Sequence, residues 1–93
     1  MSYNGLHVTS AAVVHRGIIY SLPPPKRHHD ILRMMVEQHE VHQDEETEQG
    51  FMLSDGEFAT RKAACEVAER AGQLNKHRPK THPVRELFSE DIW

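Results

Sequence analysis

Hydrophobic and polar positions alternate over the first quarter of the chain, which is the pattern of β-strands. The stretch from Val8 to Val14 is rich in Val, Thr and Ala, and a second alternating stretch runs from Ile18 to Leu22. Arg16-Gly17 lies between them, and glycine can adopt the positive φ of a tight turn. The pattern predicts a hairpin that ends before Pro23, because a run of prolines supplies no backbone N–H to a strand ladder.

The hydrophobic period lengthens after the prolines and predicts a helix from Lys26 to about Glu40. His28, Ile31, Leu32 and Met35 fall on one stripe of this helix. Its start is basic: Lys26, Arg27, His28 and His29. The amino end of a helix carries partial positive charge and normally attracts Asp and Glu. Such a start indicates either side chains that extend into solvent or a bound anion.

The second half of the chain repeats this plan. Gly50 to Phe58 predicts another hairpin, since an Asp-Gly pair near its middle is a strong turn signal. Thr60 is a suitable N-cap for a helix from Arg61 to Ala71, and Gly72 stands where a C-terminal cap glycine belongs. The sequence therefore predicts an α+β fold: a small (ββα)₂-like domain, with antiparallel hairpins packed with two helices.

A single domain is expected over residues 1–93, in four parts. These are a first ββα unit at about 8–40, an acidic loop at 39–49, a second ββα unit at about 50–72, and an extended C-terminal tail at 73–93. The loop is expected to be mobile and exposed. The tail ends in large apolar residues, and burying such a side chain contributes roughly 1.5–3 kcal/mol. We expect the segment from Leu87 to Trp93 to dock, either on its own domain or at an interface with a neighbouring subunit.

Composition and charge exclude several classes of protein. The formal charge is −3 with neutral histidines, so the chain lacks the basic surface that long nucleic acid requires. The single cysteine excludes a disulfide framework and a cysteine zinc site. No apolar run approaches a membrane span, and the start lacks the pattern of a signal peptide, so we expect no membrane partner. Because so short a chain buries a low fraction of its surface, we expect a homo-oligomer.

The basic helix starts predict a phosphate site. We expect phosphate contacts from Arg27, His28, His29 and Arg33, with Arg61 as the counterpart in the second half. Arginine binds phosphate in a bidentate manner, and helix starts favour anions. Tyr20 or Phe51 could stack a nucleobase. The alternative is an exposed basic patch that binds nothing, or one that pairs with Glu90, Asp91 and the acidic loop.

Metal binding and catalysis are two further hypotheses. The chain has eight histidines, but neither His39-x-x-His42 nor His28-His29-Asp30 has the spacing of a standard metal site. We therefore expect no metal and no cofactor. Cys65 is expected to be a packed small side chain, and no serine has the context of a nucleophile elbow. A histidine-based hydrolase, with or without a metal, stays open as an alternative.

Three segments together resemble a family of short proteins of tailed phages and prophages. They are Arg27-His28-His29, the Gly50-Phe51 hairpin and the ending Leu87-Phe88-Ser89-Glu90-Asp91-Ile92-Trp93. The resemblance covers about Ala11 to Trp93 and implies a phage origin more than an activity. Some small phage proteins form oligomers that trap nucleotide immune signals without cleaving them. By analogy, we expect this chain to sequester a phosphorylated, nucleotide-derived host immune signal in the host cytoplasm. The alternative is a protein-interaction module that inhibits a host protein.

Overall fold

The computed structural model describes residues 5–41 and 46–93. The elements are β1 (Val8–His15), β2 (Ile18–Leu22), α1 (His28–His39), β3 (Glu48–Leu53), β4 (Phe58–Thr60) and α2 (Arg61–Arg70). A single 3₁₀ turn, Ser89–Asp91, follows near the C-terminus and is called the tail turn below. This order confirms the predicted α+β fold with two ββα units.

The strands form one antiparallel sheet in the order β2-β1-β3-β4. Each helix follows an edge strand and packs back over its own hairpin. Both helices cover the same face of the sheet, where β1 and β3 contribute Ala11, Val13 and Phe51 to one continuous core. Ile31 of α1 and Val67 of α2 enter that core without any exposed surface.

The strand register explains why the two helix starts lie close together. Ala11 at the centre of β1 pairs with Leu22 on one side and with Phe51 on the other. Phe51 in turn pairs with Ala59. Leu22, Ala11, Phe51 and Ala59 thus form one row of paired residues across the four strands. The edge strands β2 and β4 both end at or next to this row. Because each helix begins soon after its edge strand ends, both starts are placed over the middle of the sheet.

Some boundaries differ from the sequence prediction. Helix α1 begins at His28 rather than Lys26, whereas β3 begins at Glu48, before the predicted Gly50. Glu48 and Gln49 belong to β3 because they continue the ladder with Val14 and Val13. The predicted acidic loop is shorter by these residues, and its positions 42–45 lie outside the described residues.

The tail packs on its own domain, which is one of the two dockings that the sequence left open. Leu87 has no exposed surface, and Ser89 is 1% exposed. The backbone N–H of Leu87 donates to the carbonyl of Arg61 at 2.9 Å. The ring of Trp93 lies 6.1 Å from that of Phe51, measured between centroids. The tail therefore completes the core beside the starts of both helices.

Among the described residues, no helix packs on the opposite face of the sheet. Gly50 is on this face, and a Cβ there would lie 2.2 Å from the carbonyl oxygen of Ala59 and 2.5 Å from the ring of Phe58. Glycine is thus required because the backbone of Ala59 and the ring of Phe58 both lie too close for a Cβ. Within the described ranges, no helix is long and apolar enough to cross a membrane.

Candidate functional site

The starts of α1 and α2 line one open cleft of about 220 Å³. Its lining residues come from both helix starts, from β3 and from the tail: Arg27, His28, His29, Leu32, Gln49, Arg61, Phe88, Ser89 and Glu90. Four of the five predicted phosphate contacts therefore meet in one place. The cleft also joins two of the segments that carry the resemblance to phage proteins, Arg27-His28-His29 and the C-terminal ending, although they are far apart in sequence.

Asp30 places a negative charge at the start of α1, where the basic side chains and the helix dipole are both positive. Its Oδ2 accepts a hydrogen bond of 2.9 Å from the backbone N–H of Arg27, the N-cap residue. This hydrogen bond is the main reason that the pKa of Asp30 is below its usual value, and His29 beside it acts in the same direction. The Nε2 of His29 lies 3.5 Å from Oδ1 of Asp30, and its side chain is 67% exposed. His29 is consequently available at the mouth of the cleft.

Arg27 connects the start of α1 to the end of the tail. Its Nη2 donates to the backbone oxygen of Trp93, and Nη2 of Arg78 donates to the same oxygen at 2.8 Å. A guanidinium carries several N–H donors in one plane. The contact with Trp93 therefore orients Arg27 and leaves further donors toward the cleft.

Arg61 is held in place by three contacts at the start of α2. Its Nη1 donates to the carbonyl of Leu87 at 2.7 Å, and its Nη2 donates to Oε1 of Gln49. Its Cζ lies 4.4 Å from the centroid of the Phe88 ring, which is a cation–π contact. Burial lowers the pKa of Arg61, and the nearby Glu90 carboxylate partly opposes that effect. The guanidinium is thus a fixed, partly desolvated positive charge.

His28 forms the buried floor of the cleft and does not have the role predicted for it. Its Nε2 lies 2.7 Å from the carbonyl oxygen of Gly50, and its Nδ1 contacts Oγ of Ser89. A carbonyl can only accept, so Nε2 carries the proton and Nδ1 accepts from the Ser89 hydroxyl. Burial lowers the pKa of His28 to about 4. At neutral pH it is an uncharged structural group with both ring nitrogens occupied, and it offers a phosphate no positive charge.

Neither aromatic residue predicted to stack a base lines the cleft. Phe51 is completely buried, with its ring edge-on to His28 at 4.9 Å between centroids, so it offers no face to a ligand. Tyr20 contacts His39 at the far end of α1, at 5.0 Å between centroids. Arg33 is exposed on α1 and does not line the cleft. The aromatic residue in the cleft is Phe88, which only the docked tail brings there.

The two carboxylates of the tail turn have different roles. Asp91 is 4% exposed, and its Oδ2 accepts from the Phe88 backbone N–H and pairs with Nζ of Lys80 at 2.9 Å. Its Oδ1 accepts from the backbone N–H of Thr81 at 2.9 Å. Burial alone would raise the pKa of Asp91, but these hydrogen bonds outweigh it and the pKa is lowered. Asp91 is therefore a structural anchor, whereas Glu90 is exposed at the cleft.

Metal or thiol chemistry would depend on the histidines and on Cys65. In the described part of the chain, no group of three or more His, Cys, Asp or Glu side chains could hold a metal ion. His42 of the His39-x-x-His42 pair lies outside the described residues. Cys65 is buried, and its Sγ donates to the carbonyl of Val84 at 3.5 Å. Burial raises the pKa of the Cys65 thiol, as expected for a packed rather than a reactive cysteine.

Comparison with known proteins supports the phage resemblance. Residues 7–93 match the family model described as Phage T4 y16D protein. No curated protein and no solved structure matches the chain.

Proposed function

The chain belongs to the phage T4 y16D protein family, and from this premise we propose that it binds a phosphorylated small molecule in the cleft between its two helix starts. The cargo is a nucleotide-derived immune signal of the host cell, and the protein acts by sequestration in the host cytoplasm. Binding lowers the concentration of free signal, and no bond in the signal is broken.

One observation carries this proposal: two arginines from separate ββα units line the same cleft. Arg27 and Arg61 are each oriented by a backbone carbonyl of the tail, so their remaining donors are positioned before a ligand arrives. Positioned guanidinium groups bind phosphate strongly, and a ligand with more than one negative group can contact both. His29 adds a further donor at the mouth.

The state of His28 favours binding over hydrolysis. A general base must be able to take up a proton near the working pH. The pKa of His28 is about 4, and both its nitrogens are engaged by Gly50 and Ser89. Ser89 is 1% exposed, so its hydroxyl supports the ring of His28 and is poorly placed to attack a ligand.

Titration calorimetry with paired variants tests the proposal. The wild-type chain is titrated with cyclic dinucleotides, linear oligonucleotide signals and nucleoside diphosphates, and the ligand is recovered and chromatographed. We expect binding of at least one phosphorylated ligand and its recovery intact. Arg61→Gln should weaken that binding by about 10- to 100-fold, since a hydrogen bond to a charged group contributes roughly 1.5–3 kcal/mol.

Arg33→Gln is the matched control, because Arg33 has the same charge but lies outside the cleft. It should leave the affinity unchanged within about twofold, as expected for a surface substitution away from the site. If no phosphorylated ligand binds at saturating concentration, the proposal is wrong. A ligand that is recovered cleaved would replace sequestration with hydrolysis.

A protein-interaction function is the second candidate, and the sheet face opposite the helices favours it. Ile19 pairs with Val14 on that face and is 47% exposed. Met52 and Phe58 are partly exposed on the same face. The same surface is our candidate for the expected homo-oligomer. Light scattering coupled to gel filtration, with wild type and Ile19→Asp, tests whether this face forms the homo-oligomer. A wild-type oligomer that becomes a monomer in the variant supports the oligomer interface, and a monomeric wild type contradicts it.

A further inference from the structure

Glu90 places a negative charge in a cleft that is also lined by the guanidinium groups of Arg27 and Arg61. Its carboxylate acts electrostatically on Arg61 and His28. Across residues 5–41 and 46–93, however, it makes neither a hydrogen bond nor an ion pair. Arg61 directs its donors to Leu87 and Gln49 instead. The cleft therefore offers arginine donors to an anion together with a carboxylate that can accept hydrogen bonds from the ligand.

The phenyl ring that lines the cleft offers a nucleobase no open face. This ring belongs to Phe88, and the Arg61 guanidinium lies over it at 4.4 Å from the centroid. Nζ of Lys80 lies 5.6 Å from the same centroid. A base that stacked here would have to displace a cation and lose its cation–π contact. At about 220 Å³ the cleft is also smaller than the roughly 300–1,000 Å³ typical of sites that enclose drug-sized ligands.

We propose that the cleft recognises a ribose phosphate, with the base left outside. Arg27 and Arg61 bind the phosphate, and the two oxygens of Glu90 accept hydrogen bonds from the vicinal 2- and 3-hydroxyls of the ribose. A carboxylate is suited to this role because it is purely an acceptor, and its negative charge repels the anionic oxygens of the phosphate group. The inference rests on the proposed function and specifies which part of a nucleotide the protein contacts.

The proposal predicts that the substitution Glu90→Ala has different effects on the affinities for inorganic phosphate and for ribose 5-phosphate. Glu90→Ala removes a repulsive charge, so inorganic phosphate should bind as tightly as before or more tightly. The same variant loses the hydroxyl contacts, so ribose 5-phosphate should bind about 10- to 100-fold more weakly. Glu57→Ala is the matched control, because Glu57 is an exposed glutamate near the β3–β4 turn and does not line the cleft. It should change neither affinity.

Wild-type protein provides a test that does not depend on the folding of a variant. Titration calorimetry compares ribose 5-phosphate, 2-deoxyribose 5-phosphate, AMP and UMP. We expect ribose 5-phosphate, AMP and UMP to bind within a few-fold of each other, and the deoxy sugar to bind about 10-fold more weakly. Equal binding of the ribose and deoxyribose phosphates would overturn the hydroxyl contact while leaving phosphate binding intact. A large preference for AMP or UMP over the other would overturn base-independent recognition. Failure of every phosphate compound to bind would overturn the proposed function as well.

Discussion

Acidification should destabilise the folded protein through His28. This residue is 6% exposed, and its imidazole is held neutral between the Gly50 carbonyl and the Ser89 hydroxyl. The pKa of His28 is lowered from 6.5 to about 4, and burial is the largest cause. The positive charge of Arg61 also lowers the pKa, whereas the hydrogen bond to Gly50 raises it. We therefore consider how the free energy of unfolding changes when the pH is lowered from 6.5 to 4.

The sign follows from proton binding in the two states. Below pH 6.5 the unfolded chain takes up a proton at His28, whereas the folded chain resists until about pH 4. The unfolded state therefore binds more protons in this window, and the free energy of unfolding falls as the pH falls. With about 1.4 kcal/mol per pKa unit, the loss from this one group reaches at most roughly 3 kcal/mol at pH 4.

Urea unfolding at several pH values between 6.5 and 4 measures this loss. The two informative variants are His28→Gln and His29→Gln, since His29 is the exposed neighbour in sequence. The pKa values of Asp30 and Asp91 are lowered, so stability from these carboxylates is present above their unfolded pKa near 3.8 and is lost mainly at lower pH. The contribution of these two carboxylates therefore changes mainly below the window.

We expect wild type and His29→Gln to lose stability in parallel, and His28→Gln to lose about 3 kcal/mol less over the same window. The His28 variant should also be less stable at pH 6.5, because it leaves buried partners without a hydrogen bond. If all three proteins show the same pH dependence, the buried neutral state assigned to His28 is wrong. Direct NMR titration of the imidazole should give a pKa of about 4.

Three further predictions concern packing and charge. Gly50→Ala should destabilise the protein by roughly 1–3 kcal/mol in urea unfolding, because its Cβ would lie 2.5 Å from the Phe58 ring; unchanged stability would contradict that packing. Asp91→Asn should cost roughly 1.5–3 kcal/mol, because it removes the negative partner of Lys80, whose Nζ keeps its hydrogen bonds to the carbonyls of Thr81 and Glu86; a loss below about 1 kcal/mol would show that the tail turn does not depend on this ion pair. Cys65 should react slowly with a thiol reagent in the folded protein and rapidly in urea, and equal rates would contradict its burial.

Local patterns in the sequence were sufficient for most of the fold. The alternation on either side of Gly17, the prolines after Leu22 and the cap residues Thr60 and Gly72 each act over a few neighbours, and all were confirmed. Such elements can be predicted from the sequence because a strand or a helix is largely specified by local periodicity and by the residues at its ends. The start of β3 was predicted too late, because Glu48 and Gln49 are strand residues only through pairing with β1.

The chemistry of the candidate site depended on tertiary structure. The sequence alone marked Arg27, His29 and Arg61 as candidate cations, since charges that oppose a helix dipole are visible locally. Whether they share a cleft depended on the register that ends β2 and β4 at the same row. Burial then distinguishes residues of similar type. His28 is buried and neutral whereas His29 is exposed, and Asp91 is a buried, paired carboxylate whereas Glu90 is exposed. Adjacent residues of similar chemistry differ in this way because solvent exposure and long-range partners set their charge and availability, and neither is encoded in a local pattern.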